Sequence, residues 1–177
     1  MEKKQNVFLT YGLISGIVSI LFALMLYLGG TEWFLHPVAY LGFAIPIVFA
    51  VIAAVKHKRN NGGYMSFGEA LKGVFLVFVI GSLLSTAFNY IMFNFVDVPF
   101  AQALTQASAE KTSEFMEKFG ASQEDIDKMV ENSFKGNPYS LGKMFFGFVF
   151  GCIIWFIIAL IIAAIVKKKR PEFPEAS

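Results

Sequence analysis

The sequence predicts an all-α integral membrane protein with four transmembrane helices, and three observations carry that prediction. Apolar residues make up 56% of the 177, and they are gathered into four long runs instead of recurring with a strand or helix period. Basic residues cluster at the ends of those runs. A polar insert, residues 97–140, holds eight acids and four lysines and separates the last two runs. A mean hydropathy of +0.60 with only 16% charged residues excludes an ordinary soluble domain. A bilayer core about 30 Å thick requires roughly 20 apolar residues in a helix, and the spans are expected at about 7–28, 38–55, 74–96 and 141–166. They form one membrane domain over 1–177. The lipid bilayer is the first partner implied. Nucleic acid is not one, because the cations mark the ends of apolar runs instead of forming a basic face with stacking aromatics.

The first span is bounded by Lys3 and Lys4 before it and by Gly29-Gly30 after it. Its length exceeds a signal-peptide h-region and no small-x-small cleavage site follows, so an uncleaved span is expected. Gly12 and Gly16 form a small-xxx-small pattern with Ser15 and Ser19 on an adjacent stripe, a surface that lets another helix come close. The next residues, GGTEWFLHP, read as a short connection with Thr31 as helix cap, Trp33 at the interface and His36 as a solvated or capping group. So short a link makes the first two spans an antiparallel pair. Pro46 falls in the middle of the second span, where it removes one helix hydrogen bond and is expected to kink the helix.

Lys56, Lys58 and Arg59 follow the second span directly, and the loop 56–72 is assigned to the cytoplasm by the excess of positive charge. The N-terminal lysines and the run Lys167-Lys168-Lys169-Arg170 agree, giving N-in and C-in, with a cytoplasmic tail over 167–177. Ten of the fifteen Lys and Arg residues fall on that side. Within the loop, Ser66-x-x-Glu69 has the spacing of a capping box, in which hydroxyl and carboxylate each bond the other residue's backbone N–H. The same carboxylate, at the mouth of a helix bundle, is a candidate proton or cation site. Both readings of Glu69 follow from its position.

The third span carries Asn89 and Asn94 toward its outer end. Amides in lipid need partners, so each is a candidate for interhelical hydrogen bonding. Five residues apart, they lie about 140° apart around the helix and do not share a face. Asp97 ends the span and is the fourth candidate polar site residue. In the insert, Phe100, Leu104, Ala107, Lys111, Phe115 and Phe119 trace one amphipathic stripe that stops at Gly120. Ser122-x-x-Asp125 then starts a second helix with Ile126, Met129, Val130 and Phe134 on one face. This amphipathic helical hairpin is expected on the extracytoplasmic side. Its acids lack the spacing of a calcium loop and read as a solvated face. The last span, expected to be capped by Asn137-Pro138, offers Gly147 and Gly151 as a second close-approach pattern. Cys152 is the single cysteine and reads as a small packing residue.

Two phrases, SFGEALKGVF entering the third span and NYIMFNFVD leaving it, resemble the DUF4199 family, four-span bacterial membrane proteins found mainly in Bacteroidetes. The similarity extends over nearly the whole chain. In that family the aspartate ending the third span is typically followed directly by proline, whereas this chain reads Asp97-Val98-Pro99. The resemblance implies an inner-membrane location and carries no activity, cofactor or catalytic residue with it.

The residues themselves supply no catalytic, cofactor or metal site. Neither a His-Glu-x-x-His pattern nor a nucleophile with an adjacent base is present, and the two histidines are expected near opposite membrane faces. The expected function is that of a small accessory or interaction protein packing through its transmembrane helices against a second copy or another membrane protein. The alternative is a small oligomeric transporter or channel with Glu69 near the pathway.

Overall fold

A computed structural model describes residues 6–169; Lys3, Lys4, Arg170 and the remainder of the tail, which entered the charge argument above, lie outside them. The described chain is helical, in the order α1 (Val7–Leu28), α2 (Gly30–Leu35), a 3₁₀ segment (Pro37–Phe43), α3 (Ala44–Asn60), α4 (Phe67–Ile91), a π segment (Met92–Val96), α5 (Val98–Lys118), α6 (Gln123–Phe134) and α7 (Leu141–Val166). Four stretches are long and apolar enough to cross a membrane: Val7–Leu28, Pro37–Asn60, Phe67–Val96 and Leu141–Val166.

Three local expectations are corrected. The connection after α1 is itself a helix, α2, and Thr31 lies inside it instead of capping it; the chain turns at Gly30, whose φ of +78° suits glycine alone. Pro46 does not interrupt a continuous α-helix. The second span begins as a 3₁₀ segment and becomes α-helical at Ala44, so Pro46 sits in the first turn of α3, at the change from one helix geometry to the other. The loop between the second and third spans is much shorter than 56–72. Lys58 and Arg59 belong to the last turn of α3, where cations suit the carbonyl end of a helix, and α4 starts at Phe67 because Ser66 caps it.

α4 is the central helix and packs against α1, α3 and α7. Small residues set those contacts. Ala50, Ala53 and Ala54 of α3, Ala70 of α4 and Ala159 and Ala163 of α7 are all fully enclosed around Val74, Val77 and Phe78. Gly12 and Gly16 of α1 lie on α4: a Cβ added at Gly12 would stand 3.0 Å from Ile80 Cβ, and one at Gly16 2.7 Å from Leu84 Cδ1. Between them, Ser15 is fully enclosed against Gly81, and its hydroxyl has no hydrogen-bond partner among the described residues.

One end of the bundle is closed by polar backbone contacts. Met65 and Lys168 pair as an isolated antiparallel bridge, and Lys58 Nζ donates to the Val166 carbonyl at 2.8 Å, capping α7. This is the basic end. The opposite end carries α2, α5 and α6 and a second apolar cluster of Met92, Phe93, Ala101 and Leu104. α5 and α6 fold back on each other through the turn at Gly120, and Lys111 Nζ donates to the Leu35 carbonyl at the end of α2. Only part of the expected stripe of α5 is covered. Leu104 is buried, but Phe115 and Phe119 stack on each other in the open at 61% and 76% exposure.

Candidate functional site

Two of the four polar residues predicted from sequence, Asn94 and Asp97, lie at the end opposite the basic loop. Asp97 joins three elements there. Its Oδ1 accepts from the Phe100 N–H at 2.9 Å and caps α5, while its Oδ2 accepts from the Tyr27 hydroxyl of α1 at 2.6 Å. The Tyr27 hydroxyl first, and the Phe100 N–H second, hold the Asp97 carboxyl below its usual range by favouring the charged form. The Asp97 N–H reaches back five residues to the Met92 carbonyl at 2.9 Å, so the helix widens by one residue per turn just before it ends.

Asn94, inside that widened turn, has its amide fully used. Its Nδ2 donates to the carbonyls of Tyr90 and Tyr139, at 2.9 and 2.8 Å, and its Oδ1 accepts from Asn137 Nδ2 at 2.6 Å. Asn137 Oδ1 in turn accepts from the Tyr139 N–H at 2.8 Å. The two asparagines thus fasten the outer end of α4 to the strip of chain that leads into α7. Tyr139 packs on Phe93 with ring centroids 4.6 Å apart, and burial raises its phenol pKa.

Beside this knot, α5 and the α6–α7 connection form an open pocket of about 710 Å³, lined by Phe93, Tyr139, Gln102, Thr105, Gln106 and Ser133 among others. At the basic end, Glu69 lies in a second groove of about 540 Å³ with His57 and Lys72. Its Oε2 accepts from the Ser66 N–H at 2.9 Å and from the Ser66 hydroxyl at 3.0 Å, and the Glu69 N–H donates to Ser66 Oγ, which completes the capping box.

Of the candidate polar residues, Asn94 and Asp97 therefore lie at one end in two adjacent hydrogen-bond groups, Glu69 lies at the opposite end, and Asn89 stands apart. Asn89 is half-buried on α4, and its amide has no hydrogen bond among the described residues. Of the packing candidates, Gly12 and Gly16 lie against α4, whereas a Cβ at Gly147 or Gly151 would meet nothing within 4 Å. No three His, Cys, Asp or Glu side chains converge among the described residues.

Tyr27 and Tyr139 complete the site and were not singled out by sequence; Asn137 was expected as the cap of the last span, but α7 starts after Ser140 and the Asn137 side chain bonds Asn94 and the Tyr139 N–H instead. One signal for Tyr27 was available. In an antiparallel arrangement, the last turn of the first span and the end of the third share a depth, which sets a phenol opposite a carboxylate.

No curated protein and no solved structure matches the chain. A family model described as a protein of unknown function, DUF4199, matches residues 10–168, which is most of the sequence, and the chain belongs to that family.

Proposed function

We propose that the chain is an integral inner-membrane protein, with its basic end and both termini in the cytoplasm and the α5–α6 hairpin outside, that acts as an accessory or interaction protein through its transmembrane helices. The orientation is supported by Lys56, Lys58, Arg59, Lys72 and Lys167–Lys169 lying at one end of the bundle. Single cysteines at Gly62 and Gly120, in a Cys152→Ala background, test it. A membrane-impermeant maleimide added to intact spheroplasts should label only the second.

The interaction reading rests on α7. Its buried residues, Ala159, Ile162 and Ala163, all lie in the half nearer the basic end, and the half from Leu141 to Ile153 buries none. Lipid covers apolar side chains there as well as protein does, but glycine gains little from lipid. Its use is to let a second backbone approach. Gly147 and Gly151 offer such an approach, unoccupied among the described residues. Disulfide or bis-maleimide crosslinking from a cysteine at Gly147 in native membranes should yield a defined adduct. Twice the chain mass indicates a second copy, another fixed mass indicates a different membrane protein, and only monomer refutes the reading.

A second reading, a small oligomeric transporter, is supported by one observation. Glu69 shares an open groove with His57 and Lys72 at the mouth of the bundle. Solute or ion flux in liposomes that is equal for wild type, Glu69→Gln and protein-free vesicles removes it.

A further inference from the structure

The pocket between α5 and the α6–α7 connection has a composition unlike the segment that builds it. Residues 97–140 carry twelve charged side chains, yet no charged residue lines the cavity. Its lining combines amides, hydroxyls and aromatic rings with small apolar residues such as Val98, Pro99 and Ala103, and its volume of about 710 Å³ falls within the range of small-molecule sites. An ionic ligand would lose water there and gain no counter-charge. A neutral ligand pays no such cost.

The hydrogen bonds already made decide what the walls still offer. Thr105 and Ser133 spend their hydroxyl protons on the helix carbonyls of Ala101 and Met129, at 2.8 and 2.9 Å; the Thr105 oxygen is further engaged by the Tyr139 hydroxyl, whereas Ser133 Oγ keeps acceptor capacity. Gln106 donates through Nε2 to Glu110 at 3.0 Å, which leaves its carbonyl oxygen as an acceptor. Gln102, one turn earlier on the same wall, has no side-chain hydrogen bond among the described residues and offers both functions. The acceptors call for a ligand with several donors, and the rings of Phe93, Phe134 and Tyr139 supply apolar surface beside them.

We propose that this pocket binds an uncharged polyhydroxylated ligand of the saccharide class, whose hydroxyls donate to Gln106 and Ser133 and pair with the Gln102 amide, and whose C–H face lies against the aromatic rings. The site is independent of how α7 associates. It faces the side of the membrane on which the hairpin lies.

The test uses the full chain in lipid nanodiscs, because glycoside detergents carry the ligand class themselves. Maltose, cellobiose and trehalose are titrated by saturation-transfer NMR and calorimetry, with glucosamine and glucuronate as charged comparators. At least one neutral disaccharide should bind saturably, with an affinity unchanged by added salt. Gln102 and Gln106 are exposed helix positions, so the double variant Gln102→Ala/Gln106→Ala should keep the fold, checked by circular dichroism, while weakening binding about tenfold or more. Three outcomes overturn the proposal: no saturable binding of any neutral disaccharide, tighter binding of a charged comparator, or unchanged affinity in the folded double variant.

Discussion

The Tyr27 hydroxyl donates to Asp97 Oδ2 at 2.6 Å, linking the last turn of α1 to the residue that both ends the third span and caps α5. Tyr27→Phe removes this link but leaves the cap, whereas Asp97→Ala removes both. The melting temperature of the detergent-solubilised chain should therefore fall in both variants, and further in the second. The pH dependence has a definite sign. The folded-state pKa of Asp97 is lowered, so its contribution is fully present above the ordinary carboxyl value of 3.8 and is lost as pH falls through the lower folded value. The gap between wild type and Tyr27→Phe should be constant from neutral pH to about 5 and narrow toward pH 3. A gap that widens in acid would show that the carboxylate is not the acceptor.

Asn94 and Asn89 lie on the same helix and should respond in opposite ways to the same change. Asn94→Leu strands the Tyr139 carbonyl and the Asn137 amide, and leaving such groups unpaired costs about 1–3 kcal/mol. It should also loosen the lead-in to α7, seen as faster proteolysis between residues 135 and 140. Asn89→Leu exchanges an amide without a partner among the described residues for an apolar group and should be neutral or stabilising by about 1 kcal/mol. Destabilisation of Asn89→Leu in native membrane but not in detergent would place its partner on another chain.

The difference between what the sequence disclosed and what it concealed follows the range of each interaction. Four apolar runs and their charged ends are properties of composition, and four helices of spanning length occupy those runs, the second and third reaching five and seven residues further into the segment between them than expected. The Ser66–Glu69 box was legible because all its atoms lie within one turn. Pro46 was misread because the shift from 3₁₀ to α geometry seven residues into the span has no signature in hydropathy. The site knot was half legible. Asn94 and Asp97 stood out as polar groups at the end of an apolar run, but their partners Tyr27 and Asn137 are 70 and 43 residues away and are ordinary for their own surroundings. The π turn that aims Asn94 at Tyr139 likewise depends on how the end of α4 meets α5.

Ser66→Ala deletes the hydroxyl that accepts from the Glu69 N–H and should cost about 1 kcal/mol of stability in the full chain. Glu69→Gln keeps an oxygen able to accept from the Ser66 N–H and should cost less than half as much. The pair separates structure from transport. Flux that disappears in Glu69→Gln at near-native stability would make the carboxylate part of a pathway, while loss of flux in proportion to stability in both variants would leave it a helix cap.

The glycines give the sharpest contrast, because the same substitution meets opposite surroundings at two sets of positions. A Cβ at Gly73 of α4 would enter the van der Waals surface of the Phe8 ring, which is 5% exposed and packs on His57 with centroids 4.8 Å apart. At Gly16 it would come within 2.9 Å of Leu84 Cβ, an atom fixed to the backbone, so α1 and α4 must separate. Gly73→Ala and Gly16→Ala should each destabilise the chain by about 1–3 kcal/mol, the range found for overpacking. Phe8→Leu should recover part of the loss in the first, since only the side chain stands in the way. Gly147→Ala and Gly151→Ala displace nothing within the chain, and alanine is the better helix former by about 1 kcal/mol, so the isolated protein should be unchanged or more stable. If α7 docks through this face in the membrane, those same two variants should weaken crosslinking from neighbouring positions while their thermal stability holds or rises. Association and folding would then move in opposite directions, and general damage to the protein cannot produce that result. Crosslinking that is unaffected in both variants would assign the glycine face to lipid.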